Sequence, residues 1–194
     1  MSTVLERGTG VLTDVEIPKN ELFMRLGTKE ITPETKECVT VLLQETECRY
    51  CYVRVPVTFL SSDRCVLGDF TVTSHALGTY LRDCKECFLL AATIGSGADR
   101  LIARLGITSP ARQFITDAAA SALVEGVCDR VCIMLSEQYR CRPRFSPGFG
   151  DFLLDYQPEL LRLIGATKQI GLALTDALFL TPSKSVTAVI GICE

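Results

Sequence analysis

Phe88-Leu-Leu-Ala-Ala-Thr-Ile94 is an almost continuously apolar stretch near the middle of a chain of 194 residues. An apolar run this short, followed by the turn sequence Gly95-Ser-Gly97, is typical of a strand that is buried on both faces. Such a strand needs neighbouring strands at its edges and packed layers against its faces. The rest of the chain must therefore supply further strands and the helices that cover them.

The flanking sequence predicts three more strands. In Cys51-Tyr-Val-Arg-Val-Pro-Val57, valine occupies every second position from residue 53 to residue 57, which indicates a strand with one buried face. Pro56 has no N–H to donate, and this favours a place near a sheet edge. Toward the other end of the chain, Leu172–Leu180 and Val186–Ile192 predict two closing strands, joined through Thr181-Pro-Ser-Lys-Ser185. A shorter strand is expected around residues 65–67.

Helical periodicity and capping residues predict six helices around these strands. They cover about residues 20–26, 33–45, 74–83, 96–105, 110–137 and 159–164. Asn20, Thr32 and Ser74 are the candidate N-caps of the first three, because their side chains can accept from the first free N–H groups of a helix.

The order of these elements predicts the fold class. Strands and helices are intermixed without a regular β-α-β alternation, so we expect an α+β fold in which helices pack against a twisted, largely antiparallel sheet. The length predicts a single domain over residues 1–194. Residues 1–14 are polar and unpatterned and are expected to form a loose N-terminal segment, with a short strand at Val15–Pro18.

Composition excludes several classes of function. The formal net charge is −3, which argues against nucleic acid as a partner. No apolar run approaches the roughly 18 residues of a membrane span. Met1–Gly10 has no apolar region of the kind found in secretory signals, so we expect a cytoplasmic protein without a membrane partner.

The ten cysteines include two C-x-x-C pairs, Cys48/Cys51 and Cys84/Cys87. Together these pairs could hold zinc. However, Cys51 takes an apolar position in a predicted strand, and Cys128 and Cys132 lie four residues apart on one helical face. Reduced, buried thiols are therefore the favoured interpretation, and no metal site is predicted.

A second stretch, Arg140-Cys-Arg-Pro-Arg-Phe-Ser-Pro-Gly-Phe-Gly-Asp151, is the candidate binding segment. Arginines at residues 140, 142 and 144 lie on one side if the segment is extended, and Pro143 favours that conformation. Pro147-Gly148-Phe149-Gly150 predicts a turn whose glycines let a ligand approach the backbone. Guanidinium donors beside an open loop suit a small ligand with a carboxylate. The alternative is a solvated basic loop.

Three other residues or motifs are weighed for function. Glu125, in the longest predicted helix, has largely apolar neighbours, so it is either a surface residue or one that receives a cationic group. Gly95-Ser-Gly97 predicts a tight turn, because Arg100 stands where a dinucleotide motif has its third glycine. His75 and Gly78 match part of the Asp-x-His-x-x-Gly motif of cobalamin-binding domains. Thr73 replaces its aspartate, which predicts that this chain does not itself bind cobalamin.

Arg144-Phe-Ser-Pro-Gly-Phe149 and Pro182-Ser-Lys-Ser-Val-Thr-Ala-Val-Ile-Gly191 together resemble the activation domain of cobalamin-dependent methionine synthase. Ala91–Gly95, Asp99–Ile102 and Leu123–Glu125 extend the resemblance, which covers roughly residues 15–192. It implies a domain that binds S-adenosylmethionine and uses it to remethylate cob(II)alamin. The electron would come from flavodoxin or an equivalent reductant, and cobalamin would be carried by a partner methionine synthase or a related corrinoid protein.

The resemblance also implies the site residues. Arg144 would contact the methionine carboxylate of the ligand, and Glu125 its α-amino group. The backbone around Phe145, Pro147 and Gly148 would line the adenosine, with Phe149 packing beside it. Phe149 replaces the tyrosine of the family motif and so lacks its hydroxyl. No position can be matched to the family's N-terminal aspartate.

Two functional hypotheses follow from these residues. In the first, the chain is a stand-alone reactivation module that acts on a separate methionine synthase, without an acid–base residue of its own. In the second, the chain keeps the fold but has lost the ligand, and serves as an interaction subunit of a corrinoid methyltransferase.

Overall fold

A computed structural model of the chain describes residues 4–193 as nine strands and seven helices. The strands are β1 (Glu6–Leu12), β2 (Cys48–Phe59), β3 (Arg64–Leu67), β4 (Phe70–Thr73), β5 (Glu86–Thr93), β6 (Arg140–Cys141), β7 (Ala173–Leu174), β8 (Leu180–Thr181) and β9 (Ser185–Cys193). The helices are α1 (Lys19–Leu26), α2 (Pro33–Glu45), α3 (His75–Tyr80), α4 (Ser96–Thr108), α5 (Pro110–Ser136), α6 (Gln157–Ile164) and α7 (Ala166–Ile170).

The apolar strand β5 lies inside a seven-stranded sheet, between β2 and β9. The sheet order is β4-β3-β2-β5-β9-β6, and β1 pairs with the part of β2 that β3 does not reach. Every one of these pairings is antiparallel. The predicted α+β fold, with a largely antiparallel sheet and helices packed against it, is confirmed.

Two helical layers cover the two faces of the sheet, and successive residues of β5 alternate between them. Phe88 and Leu90 face the α5 layer, which consists of α1, α2, α4 and α5. Leu89 and Ala91 face the α6 layer, which consists of α3, α6 and α7. All four of these side chains are fully buried. The continuous apolar sequence of β5 is thus explained by burial on both faces.

The prediction of a loose segment at residues 1–14 is wrong for the part that the structure describes. Residues 6–12 form β1, which pairs with β2 along its whole length. Gly8 and Gly10 concealed this strand in the sequence, because glycine weakens a strand pattern. A Cβ at Gly8 would lie 2.3 Å from the ring of Tyr52, and one at Gly10 would lie 3.0 Å from the ring of Tyr50. The glycines therefore leave room for the two tyrosine rings. Residues 1–3 lie outside the described residues.

Four other predictions about local structure need correction. Val15–Pro18 forms no strand, and Pro18, not Asn20, stands at the N-cap of α1. Leu172–Leu180 is not one strand, because only its ends pair, as β7 and β8 of a small hairpin. β2 is not at an edge, because it pairs with β5 on one side and with β1 and β3 on the other. Pro56 lies between the part of β2 that pairs with β1 and the part that pairs with β3, so no neighbouring strand requires the N–H that proline lacks.

The helices agree more closely with their predictions. Thr32 caps α2 by accepting from the N–H of Thr35, and Ser74 caps α3 by accepting from the N–H of Leu77. The α3 helix ends at Tyr80 instead of residue 83. The long helix α5 begins at Pro110, as predicted, and ends one residue before the predicted Glu137.

Candidate functional site

The candidate binding segment leaves α5, pairs with β9, and contains a β-bulge. The N–H of Arg142 donates to the carbonyl of Gly191 over 2.8 Å, and Phe145 exchanges two hydrogen bonds with Val189, of 2.9 and 2.8 Å. The segment advances three residues, from Arg142 to Phe145, while β9 advances two, from Gly191 to Val189. The segment therefore contains one extra residue. The bulge interrupts the alternation of side chains, so Arg142 and Arg144 point to different layers. The prediction that the three arginines share one side is wrong.

Arg142 faces the α6 layer and is used to hold neighbouring backbone. Its Nη1 and Nη2 each donate over 2.6 Å, to the carbonyls of Tyr80 and Arg82 respectively. Its Nε donates to the Sγ of Cys193 over 3.2 Å. Arg140, by contrast, is exposed on β6. Neither arginine meets the residues predicted for the ligand.

Arg144 faces the α5 layer and meets two carboxylates. Its Nη2 lies 3.1 Å from Oε2 of Glu125 and 2.8 Å from Oδ1 of Asp129. The Arg144 side chain is 20% exposed, whereas Asp129 is 53% exposed, so the contact is only partly shielded from water. Burial works to lower the pKa of the guanidinium, but Cys128 and Cys132, and then the two carboxylates, hold it above its usual value, so Arg144 remains charged. Its Nη1 is buried and has no hydrogen-bond partner among residues 4–193.

The two carboxylates come from one face of α5. Glu125 and Asp129 are four residues apart, a spacing that places both side chains on the same side of a helix. Asp129 was missed in the sequence, although this spacing from Glu125 was the signal that would have found it. Gly126 lies between them, and a Cβ there would lie 2.4 Å from the carbonyl of Glu16. Only glycine allows α5 to approach the connection between β1 and α1 so closely.

A cavity of about 340 Å³ adjoins this acidic face. Asp129 belongs both to its wall and to the ion pair with Arg144. The other lining residues are Asp14, Glu16, Pro18, Gly126, Arg130 and Ile133. Asp14 and Glu16 bring further negative charge to the site from a segment that sequence analysis did not connect with it.

The loop that carries the remaining predicted residues is folded back on itself. Phe145 stacks on Tyr80 with ring centroids 4.9 Å apart and packs into the α6-layer core. Gly148 has a φ of 97°, in the region that favours glycine, and its N–H donates to the carbonyl of Phe152 over 2.7 Å. The N–H of Phe149 donates to Ser146 within the loop. These N–H groups are therefore engaged, whereas the carbonyl of Gly148 takes part in none of these bonds.

Phe149 and Pro147 lie on the outer side of this loop. The Phe149 side chain is 63% exposed, although its ring lies 6.2 Å from that of Phe145. Pro147 is half-buried and Gly148 is exposed. The loop thus presents an aromatic ring and accessible backbone to solvent, on the segment that also carries Arg144.

Asp151 fixes the end of this loop to α3. Its carboxylate accepts from the hydroxyl of Ser74 over 2.6 Å and from the N–H groups of His75 and Ala76 over 2.8 and 3.0 Å. Hydrogen bonds to the charged form favour it, and they lower the pKa of Asp151 to about 2. His75 is accordingly the first residue of an anchored helix, and its side chain is exposed.

The cysteines do not gather into a metal site in the part of the chain that is described. Cys48 packs in the α5-layer core and Cys51 in the α6-layer core, so the two members of this C-x-x-C pair lie on opposite faces of the sheet. Among residues 4–193, no three His, Cys, Asp or Glu side chains are placed to hold a metal ion. Burial raises the pKa of the Cys48 thiol to about 11, as expected for a core thiol.

The fold can be compared with known proteins. No family model matches the chain, and neither does any curated protein sequence. Among solved structures, the chain is similar to the crystal structure of the MetH reactivation domain bound to AdoHcy, with a TM-score of 0.68. The two share 12% of their residues, over 98% of this chain and 80% of that chain. The chain has the fold of a reactivation domain.

This similarity concerns the fold, because 12% identity is too low to transfer a site. It agrees with the fold that the sequence resemblance implied. The reactivation domain in that structure binds AdoHcy, the demethylated counterpart of S-adenosylmethionine. In addition, no helix within residues 4–193 is both long enough and apolar enough to cross a membrane.

Proposed function

We propose that this chain binds S-adenosylmethionine and supports the reductive remethylation of cob(II)alamin on a cobalamin-dependent methionine synthase that lacks its own activation domain. The observation that carries the proposal is the contact between Arg144 and Glu125, 19 residues apart in the chain and 3.1 Å apart in space. This pair stands in a fold shared with a reactivation domain that binds AdoHcy.

The two charges complement the amino-acid part of the ligand. S-Adenosylmethionine carries an α-carboxylate and an α-ammonium group on one carbon, and a guanidinium and a carboxylate in contact can bind these two groups side by side. Without ligand, Arg144 and Glu125 satisfy each other. On binding, the ligand carboxylate would take the place of Glu125 at Nη2 of the guanidinium. Asp129 would keep the arginine in position.

The loop after Arg144 complements the adenosine part. The exposed ring of Phe149 offers an apolar face for a purine, and the backbone of Phe145, Pro147 and Gly148 would line the nucleoside. Phe149 lacks the hydroxyl of the tyrosine that the resemblance implies, so the ring contributes packing without a hydrogen bond. The cavity of about 340 Å³ lies instead beside Asp129, at the amino-acid end of the proposed site, and has the size of a small-molecule site.

In this proposal the chain positions the methyl donor and does not move protons. S-Adenosylmethionine supplies the methyl group, a flavodoxin-type reductant supplies the electron, and cobalamin remains on the partner methionine synthase. Arg144 and Glu125 hold the ligand by its amino-acid end, which leaves the sulfonium methyl group free to face the partner.

Calorimetric titration with S-adenosylmethionine tests the proposal. Wild-type protein should release or take up heat saturably, and Arg144→Ala should weaken binding by about 10- to 150-fold, the equivalent of about 1.5–3 kcal/mol for a hydrogen bond to a charged group. Arg140→Ala is the matched control, because it removes an exposed arginine from the same segment. Glu125→Gln should weaken binding through the ammonium group. No heat with wild-type protein, or equal affinity of the two arginine variants, would refute ligand binding.

A second function is favoured by the same ion pair. Arg144 already contacts two carboxylates, and Phe149 has no hydroxyl, which is consistent with a chain that has kept the fold as an interaction subunit of a corrinoid methyltransferase. Such a subunit should bind a methionine synthase that ends after its cobalamin domain equally well with and without S-adenosylmethionine. Reactivation activity that depends on the ligand would exclude this alternative.

A further inference from the structure

Two thiols meet on the α6-layer face of the sheet, away from Arg144. Cys84 lies in the connection between α3 and β5 and is 3% exposed, and Cys193 is the half-buried last residue of β9. Gly191, two residues before Cys193 on the same strand, leaves room for Cys84, because a Cβ there would lie 2.8 Å from the Sγ of Cys84. The pKa of Cys84 is raised, mainly by burial, and its hydrogen bond with the Cys193 thiol contributes to the increase.

Arg142 supplies a fixed positive charge to this pair. Its Nε donates to the Sγ of Cys193 over 3.2 Å, while its two Nη atoms are held by the carbonyls of Tyr80 and Arg82. A cation held beside a sulfur atom favours the thiolate, which is the reactive form of cysteine. The same charge works to lower the pKa of Cys84 against the effect of burial.

We propose that Cys84 and Cys193 form a reversible disulfide when the protein meets a low-molecular-weight disulfide such as glutathione disulfide. The Cys193 thiolate attacks one glutathione sulfur, which breaks the glutathione S–S bond and releases one glutathione thiolate. Cys84 then loses its proton and attacks the Cys193 sulfur, which releases the second glutathione. Two cysteine thiols are oxidised, one glutathione disulfide is reduced to two glutathione thiols, and both protons pass to these thiols.

The order of attack follows from exposure. Cys193 is the half-buried thiol that receives the arginine N–H, so it meets the oxidant first. Cys84 is too deeply buried for a tripeptide to reach, yet it lies beside Cys193 and can resolve the mixed disulfide. The new bond fastens the end of β9 to the connection that follows α3.

The other cysteines lack this combination of features. Cys141, half-buried and adjacent to β9, packs with the α5 layer on the opposite face of the sheet. Cys132 also belongs to that layer, and burial raises its pKa to about 11. Among the described residues, six further cysteines are buried, and these are Cys38, Cys48, Cys51, Cys65, Cys87 and Cys128.

The experiment oxidises the full chain with glutathione disulfide, alkylates the remaining thiols, digests the protein and identifies the linked peptides by mass spectrometry. The expected product is one dominant Cys84–Cys193 link that dithiothreitol removes. Cys84→Ser should instead accumulate glutathione on Cys193, because the resolving thiol is missing. Cys141→Ser, the matched control from the opposite face, should still form the link.

Either of two results would overturn the proposal. One is the absence of the Cys84–Cys193 link while other cysteines become linked or glutathionylated. The other is a Cys84→Ser protein that carries no more glutathione on Cys193 than the wild type. Both results are independent of S-adenosylmethionine, so they leave the proposed function untouched.

The contribution of Arg142 is tested by the rate of link formation at neutral pH. Arg142→Met should slow the first attack by about three- to tenfold, because it removes the cation that donates to the Cys193 sulfur. Arg142→Gln is the second uncharged variant, to be used if the loss of the backbone contacts prevents Arg142→Met from folding, because its amide can still donate to a backbone carbonyl. An unchanged rate in a folded uncharged variant would show that the guanidinium does not activate Cys193.

Discussion

The two sides of the segment after α5 differ in what they contribute to the molecule. On the α6-layer side, Arg142 donates to backbone carbonyls, and the rings of Phe145 and Phe152 pack in the core. On the other side, Arg144 meets the carboxylates of α5. One side is thus built into the core of the fold, whereas the other carries a cluster of charged side chains.

This difference shows how one bulge can direct two neighbouring arginines to opposite faces of a sheet. Without the extra residue, Arg142 and Arg144 would point to the same layer and compete for the same partners. With it, the fold can be anchored by one arginine while the other remains available. Removal of side chains from each side should therefore affect different properties, stability on the first side and ligand binding on the second.

The largest effect on stability should come from Phe152→Ala. Phe152 is fully buried and its ring stacks with those of Phe145 and Tyr156, at centroid distances of 6.1 and 5.7 Å. Truncation should lower the free energy of unfolding by about 3–5 kcal/mol, measured by denaturant titration. Phe149→Ala, at the exposed ring of the same loop, should change it by no more than about 0.5 kcal/mol. Similar costs for the two variants would contradict the assignment of Phe152 to the core and of Phe149 to the surface.

A smaller loss of stability is expected from Arg142→Ala. This change removes two short hydrogen bonds from a charged donor to the carbonyls of Tyr80 and Arg82, and part of the cost is recovered because water can reach the freed groups. We expect a decrease of about 2 kcal/mol in the free energy of unfolding. Arg140→Ala is the control on the same segment and should have almost no effect. If Arg142→Ala leaves the free energy of unfolding unchanged, the guanidinium does not hold the connection after α3.

Arg144→Met should cost less stability, about 1 kcal/mol, because its ion pairs are partly exposed. Part of the cost should disappear at high salt, which screens the attraction in the wild type and the repulsion left between Glu125 and Asp129. A double-mutant cycle with Glu125→Gln in denaturant measures the coupling directly. Coupling energies near zero at low salt would mean that the two side chains are independent in solution.

The elements that depend on local pattern were the ones that the sequence could predict. The apolar run of β5, the alternation in β2 and the Pro110 start of α5 each carry a signal within their own residues. β1 lacked such a signal, because Gly8 and Gly10 are needed to make room for the rings of two tyrosines that lie about forty residues later in the chain.

The candidate side chains could be named from the sequence, but their arrangement could not. Arg144 and Glu125 were both identified, and the structure brings them into contact. The bulge was not predictable, because it arises from the difference in register between the two ends of the pairing with β9. The direction of Arg142 and the contact of Asp129 with Arg144 depend on that register, so both became evident only in the structure.

The smallest effect concerns Asp151, which joins the end of the loop to α3. Its pKa of about 2 lies below the usual 3.8, so its stabilising contribution is fully present above pH 3.8 and is lost as the pH falls from there toward 2. Asp151→Asn should therefore reduce the slope of stability against pH within this window, measured by urea unfolding at several pH values. The slope should not vanish, because the pKa values of Asp63 and Asp69 are also lowered. Asp69→Asn, at the distant ion pair with Arg162, serves as the comparison. If Asp151→Asn leaves the wild-type slope intact, the loop is held to α3 by packing alone, and the hydrogen bonds of Asp151 contribute nothing that depends on its charge.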